Sequence, residues 1–307
     1  MSRRIILDCD PGHDDAIALL LALGSPSEIE VLGVTTVAGN QTLEKTTANA
    51  IRVLDHVGRD DIPVVAGASR PLVREPRVLP HVFGDSGLDG PVLPAPARRP
   101  APEHAIDWMA RTFAESDQPV TLVATGPLTN VALLLARYPD AAVERIVLMG
   151  GAIGEGNETP AAEFNIWDDP EAAARVFSSG VDLTMVGLDV THQALMRSAH
   201  AERLASTGRA GKLVADLYDF YSRFHRQYYP WEGSPIHDAC AVGYVIDPTL
   251  IETLHCGVRI DMGIESRGRT NVDRWGQMGW EPNCHVALDI DAERFLELVV
   301  ERISSLG

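Results

Sequence analysis

At 307 residues, 45% of them hydrophobic, the chain can bury the core of one large α/β domain or of two ordinary ones. Its 43 acidic against 26 basic residues give a formal net charge of -17, which argues against a nucleic-acid face built on phosphate neutralisation and favours small neutral or cationic partners. Cys9, Cys240, Cys256 and Cys284 lack any zinc-like spacing, and no apolar run approaches the roughly 20 residues of a membrane span, so the expectation is a soluble, cytoplasmic protein with buried free thiols.

The first residues, MSRRIILDCD, turn acidic after three apolar positions, too few for a signal-peptide core. Short runs rich in Ile, Val and Leu then predict strands at 5–7, 31–37, 63–66, 120–124, 145–149 and 182–186. Helical patterns separate them at 14–23, 43–57, 105–114, 128–136 and 170–178. Continuous apolar strands alternating with helices predict an α/β fold with a mostly parallel central sheet flanked by helices, a doubly wound, Rossmann-like layout. Two stretches, 69–102 and 150–165, are rich in proline, glycine and polar residues and read as long loops of the kind that carry function. Beyond residue 188 the pattern predicts helices at 197–207 and 212–229, then strands at 254–262 and 283–289. No repeat or linker interrupts the chain, so residues 1–307 are expected to form a single domain.

The segment ILDCDPGHDDAIALLLAL puts Asp8, Asp10, Asp14 and Asp15 at the carboxyl end of the first strand and the start of the next helix, where open α/β sheets bind ligands. A helix cap needs one acid. Four within eight residues repel one another unless a cation sits among them, and a hard divalent ion held by carboxylate oxygens resolves that conflict. An EF-hand does not fit, because Pro11 lies inside the would-be loop and Leu19 stands where the final glutamate is required. A DxD phosphatase, with Asp8 as nucleophile, Asp10 as acid and magnesium as cofactor, is a competing reading. It lacks a well-placed lysine, since the only lysines are Lys45 and Lys212.

Four further polar clusters follow: VAGN ending at Asn40, ATGPLTN over 124–130, GNETPAAEFNIWDDPEAA, and SPIHDACAV. With DCDPGHDDA, TGPLTN, the EFN triplet and HDACAV in this order, the chain resembles the inosine-uridine preferring nucleoside hydrolase family over essentially its whole length. The resemblance implies a calcium-dependent N-ribohydrolase that splits ribonucleosides into ribose and free nucleobase. It implies calcium held by Asp10, Asp15, the main-chain carbonyl of Thr125 and Asp238, all oxygen ligands. It further implies ribose binding by Asp14, Asn157, Glu163, Asn165 and Asp238, with Asn40 near the metal and Met149 packed under the sugar. A homodimer or homotetramer acting on small nucleosides, with no nucleic-acid or membrane partner, belongs to the same expectation.

Plainer roles compete at several positions: Asn40 and Asn157 as turn residues, and Glu163 and Asn165 as caps of a helix opening at Asp168. Chemically, glycosidic cleavage through an oxocarbenium-like ribose needs water activated, positive charge stabilised and the base helped to leave. Asp10 is the candidate general base and His237 the candidate acid, and direct attack of water predicts inversion. Where the family commonly has His-Gly, this chain reads HVFGDSGLDG, with Phe83 before Gly84. Base-pocket candidates are therefore Phe83 and His81, with Tyr221, His225 and Tyr228 at helical spacing further along. A non-catalytic nucleoside or ribose binding protein that keeps the pocket is the alternative from another class.

Overall fold

The computed structural model describes residues 2–307. In chain order the elements are β1 (Arg3–Cys9), α1 (His13–Leu23), β2 (Ile29–Thr36), α2 (Leu43–His56), β3 (Val64–Ala66), α3 (Pro80–Phe83), α4 (Ala105–Glu115), β4 (Val120–Ala124), α5 (Thr129–Arg137) and β5 (Val143–Met149). There follow α6 (Phe164–Asp168), α7 (Pro170–Phe177), β6 (Asp182–Val186), α8 (Leu188–Thr191), β7 (Leu195–Met196), α9 (Ser198–Ala205) and α10 (Arg209–Tyr228). The chain closes with β8 (Ser234–Pro235), α11 (His237–Ile246), β9 (Ile251–Ile260), β10 (Thr270–Asp273), β11 (Cys284–Ile290) and α12 (Ala292–Ser304).

One nine-stranded sheet runs β10-β9-β11-β6-β5-β4-β1-β2-β3. Its strands from β11 to β3 are parallel, and β9 and β10 add an antiparallel edge. The order reverses between β1 and β4, and at such a switch point the connections leave toward opposite faces and open a crevice at the strands' carboxyl ends. One face buries Ile5, Leu7 and Cys9 against α1, α11 and α12, and the other buries Ile6 against Trp108, Met109, Val131 and Val176. The six predicted parallel strands and the two later ones are all present, with ends shifted by a few residues at most. Strand β10, helix α12 and the single-turn α3 inside the 69–102 stretch were not expected. For α12 the signal was there: Phe295, Leu296, Val299, Val300 and Ile303 recur at helical spacing behind Asp291, which caps it.

Helix α1 is buried on every side and α11 nearly so, which follows from their HDDAIALLLAL and HDACAVGYVI sequences: a helix apolar all round belongs in the interior. The two pack against each other. Asp14, Asp15 and Asp238 all stand in first turns, where the helix dipoles favour negative charge, so this packing carries them to one place. Among the described residues no helix is long and apolar enough to cross a membrane.

Candidate active site

Residues Asp10, Asp14, Asp15 and Asp238 gather below the crevice, none more than 4% exposed. Carboxylate oxygens of Asp14, Asp15 and Asp238 lie within 4.8 Å of one another. Asp15 is held on three sides: Oδ2 accepts from the Gly12 N–H at 2.9 Å and from Asn40 Nδ2 at 3.2 Å, and Oδ1 accepts from Thr125 Oγ1 at 2.9 Å. Asp10 stands beside this trio, its Oδ2 accepting from the Asn40 N–H at 2.6 Å. Its Oδ1, like Oδ1 of Asp14, is buried without a hydrogen-bond partner among the described residues. Burial, with the Asp15 charge behind it, pushes Asp14 up to about 8 and Asp10 well above the usual carboxylate range; burial and the Asp14 charge do the same to Asp238.

Among the described residues neither Lys nor Arg lines this cavity. Lys45 is tied to the Asp85 carbonyl at 2.5 Å, and Lys212 pairs with Asp216. The acids thus have no protein cation beside them, and two orphaned carboxylate oxygens in an all-oxygen donor set fit a hard divalent metal. The metal trio in the geometry contains Asp14, which the resemblance assigned to ribose, while Asp10 lies next to it. The phosphatase reading fails here. Among the described residues no Lys or Arg lines the cavity to hold a phosphate, and Asp8 is engaged by Thr35 Oγ1 at 2.6 Å and Asn130 Nδ2 at 2.8 Å.

Asn40 is more than a turn residue, because its side chain and N–H hold both Asp10 and Asp15. Asn165 Nδ2 donates to the Thr125 carbonyl at 2.8 Å and the Met149 carbonyl at 3.1 Å, tying together the carboxyl ends of β4 and β5. Glu163 does cap a helix, though not the one expected: α6 opens at Phe164, and Glu163 accepts from the N–H groups of Asn165 and Ile166 and also from Gly151. The helix expected at Asp168 begins at Pro170, capped by Asp169. Burial lifts Glu163 to about 7. Asn157 Oδ1 accepts from the Phe164 N–H at 2.9 Å, leaving its amide NH2 for a ligand. Asp14, Asn40, Thr125, Met149, Asn157, Glu163, Asn165 and Asp238 all line the one cavity.

The opposite wall is aromatic and histidine-rich. Phe83, Tyr221, His225 and His237 line it as expected, and exposed His81 stands at its rim. Tyr228 does not: it is 62% exposed and tilts against Phe224. Helix α10 ends at Tyr228, so the extended Tyr229 turns into the cavity instead and stacks on Trp231 at 4.1 Å. Helical spacing fits Tyr229, four residues past His225, as well as Tyr228, three past it, but the sequence reading took only Tyr228; Trp231 and His192 escaped it too. His192 sits edge-on to His237 at 5.6 Å and packs on Trp231 at 4.7 Å. Burial lowers His192 and His225 to about 4 and His237 well below the usual histidine value, so all three are neutral at pH 7.

The profile of the inosine-uridine preferring nucleoside hydrolase family matches residues 5–297. A pyrimidine-specific ribonucleoside hydrolase RihA of Shewanella sp. (strain ANA-3) is 51% identical over 309 positions, covering 99% of this chain and 97% of that protein. The RihA of Photobacterium profundum is 48% identical over 310 positions, 99% of this chain and all of that one. Among solved structures, a purine-preferring ribonucleoside hydrolase from Gardnerella vaginalis superposes with a TM-score of 0.93 at 35% identity, covering 99% of both chains. An acid cluster at the switch point, a polar floor, a histidine-bearing wall and this end-to-end similarity meet in one conclusion: the chain belongs to the inosine-uridine preferring nucleoside hydrolase family and hydrolyses the N-glycosidic bond of ribonucleosides.

Proposed function

We propose that water attacks the anomeric carbon directly, with calcium held by Asp10, Asp15, Asp238 and the Thr125 carbonyl, and that a pyrimidine is the preferred base. The observation that carries the metal-assisted reading is the pair of buried, partnerless oxygens on Asp10 and Asp14 within the acid cluster. When bound, the ion keeps the carboxylates ionised and lowers the pKa of a water beside it. Asp10, anchored through Oδ2 by Asn40, has Oδ1 free to accept the proton of the attacking water. Asp14, Asn157, Glu163, Asn165 and Asp238 receive the ribose hydroxyls over Met149, and their negative potential favours the oxocarbenium-like sugar. His237 faces the leaving base from the other wall and is its hydrogen donor. Attack on one face and departure from the other give inversion.

The pyrimidine preference rests on the relatives at about half identity that bear that name over their full length, against the 35% of the purine-preferring structure. A cytoplasmic homodimer or homotetramer is part of the same proposal, supported by the family resemblance, and sedimentation tests the oligomer.

Removing the metal should abolish turnover and adding calcium should restore it, while Asp10→Ala should be inactive with an unchanged circular dichroism spectrum. Full turnover by a metal-free protein overturns the reading. Uridine and cytidine should exceed inosine in kcat/KM, and ribosides should exceed 2′-deoxyribosides because the polar floor would keep unpaired groups without the 2′-hydroxyl. Equal efficiency on inosine and uridine refutes the base preference.

A further inference from the structure

His237 opens α11, and its ring has two differently placed nitrogens. Nδ1 lies 2.7 Å from Thr191 Oγ1, both residues being buried. Nε2 has no hydrogen-bond partner among the described residues, yet it is not sealed off, and the ring lines the cavity. Thr191 ends the single turn α8, which follows β6 directly through Gly187; its N–H donates to the Gly187 carbonyl at 3.1 Å. The end of a central strand therefore sets where this hydroxyl stands.

A neutral imidazole carries one N–H, so the hydrogen bond between Thr191 and Nδ1 can run either way. The surroundings decide the direction. Thr191 is fully buried, and His237 is the only hydrogen-bond partner of its hydroxyl among the described residues. Were Nδ1 the donor, the Thr191 hydroxyl hydrogen would be buried without an acceptor, at the full cost of its lost hydration. With Thr191 donating, the buried hydroxyl hydrogen is satisfied and the imidazole hydrogen is left on Nε2, toward the cavity, where a ligand can accept it. The opposite tautomer would present a lone pair to the nitrogen or oxygen atoms of a departing base, an acceptor facing acceptors.

We propose that Thr191 is a positioning residue: its hydroxyl donates to Nδ1 of His237 and so holds the imidazole in the Nε2–H form, aimed at the leaving base. Thr191 touches no substrate and acts only through His237. The proposal rests on the assignment of His237 as the leaving-group donor.

The most direct test uses the unaltered protein. Nitrogen-15 chemical shifts of the His237 ring, measured with calcium bound, should report a proton on Nε2; a proton on Nδ1 overturns the proposal. Kinetics supply the functional arm. Thr191→Val keeps the side-chain shape and removes the hydroxyl, and should lower kcat on uridine by roughly 10- to 100-fold, short of the loss expected for removing the acid itself. KM should stay nearly constant, and p-nitrophenyl riboside, whose leaving group needs no proton, should be spared. Thr191→Ser should recover most of the uridine activity. Equal loss on both substrates means a structural role and refutes the proposal, as does a Thr191→Val enzyme with full uridine turnover. His237→Ala run in parallel separates the two readings. If His237→Ala is crippled on uridine and Thr191→Val is not, only the role of Thr191 falls; if His237→Ala is unimpaired, both fall.

Discussion

The donor role proposed for His237 needs a neutral ring, and burial disfavours its charged form. A natural base is a poor anion, so His237→Ala should cut nucleoside turnover by roughly 100- to 10,000-fold. The same variant should largely keep its activity on p-nitrophenyl riboside, measured by nitrophenolate release, since the acid cluster and ribose floor are untouched. Equal losses would assign His237 to water or to structure. Phe83 has a different duty. Its buried ring stacks on His13 and on Tyr221, each at 5.8 Å, and lines the cavity. Phe83→His should therefore change the ratio of kcat/KM between uridine and inosine more than the ratio between ribosides and 2′-deoxyribosides. An unchanged base profile would place that ring outside the specificity machinery.

At the scale of elements, the turn between β1 and α1 joins the acid cluster to the aromatic wall. Gly12 caps α1, and its N–H donates to Asp15. A Cβ at Gly12 would lie 2.8 Å from the Phe83 ring and 2.9 Å from Asn40 Nδ2, while the backbone angle φ of -101° is one any residue adopts. The requirement for glycine is thus one of space and not of backbone freedom. Gly12→Ala should cost about 1–3 kcal/mol of stability through overpacking. It should also weaken calcium binding, because displaced Asn40 no longer orients Asp10 and Asp15. Thermal melts and a calcium titration read both effects; unaltered calcium affinity would contradict the coupling. The 80–90 loop is fixed to the same region from outside, with Gln41 donating to the Gly84 carbonyl and Asn49 to the carbonyls of Pro11 and Ser86.

For the whole molecule, acids and histidines of one site bias stability in opposite directions with pH. Without metal, Asp14 rises from 3.8 to about 8, so the folded state keeps a proton that the unfolded chain has released. That contribution is full at low pH and lost as pH rises through about 8. His192 and His225 fall from 6.5 to about 4; their contribution is full above 6.5 and lost as pH drops toward 4. Between pH 6.5 and 8 the acids change most, so the Tm of the metal-free protein should fall across that window. With calcium bound the carboxylates are ionised throughout, and Tm should be nearly flat over the same range. Calorimetry at pH 6.5 and pH 8, with and without calcium, checks this; a metal-free Tm that rises with pH would mean the acids are ionised without a cation.

The one-dimensional pattern determined the layered fold, because a strand buried on both faces must be apolar throughout and a central helix apolar all round, and both signatures are local. It also marked Asp10, Asp14 and Asp15, whose crowding within six residues repels unless a cation or protons sit among them once they are buried. Asp238 and His237 were legible through their motif. What draws them to the first acids is the packing of α11 on α1, a contact between helices more than 200 residues apart. Only the tertiary structure decided the aromatic wall. Periodicity allows both Tyr228 and Tyr229 after His225, and the end of α10 decides for Tyr229, which stacks on Trp231, itself packed on His192 from a distant segment. Likewise the direction of the Thr191 hydrogen bond depends on which groups are sealed from water around it, and burial is a property of the folded whole that no short window of sequence contains.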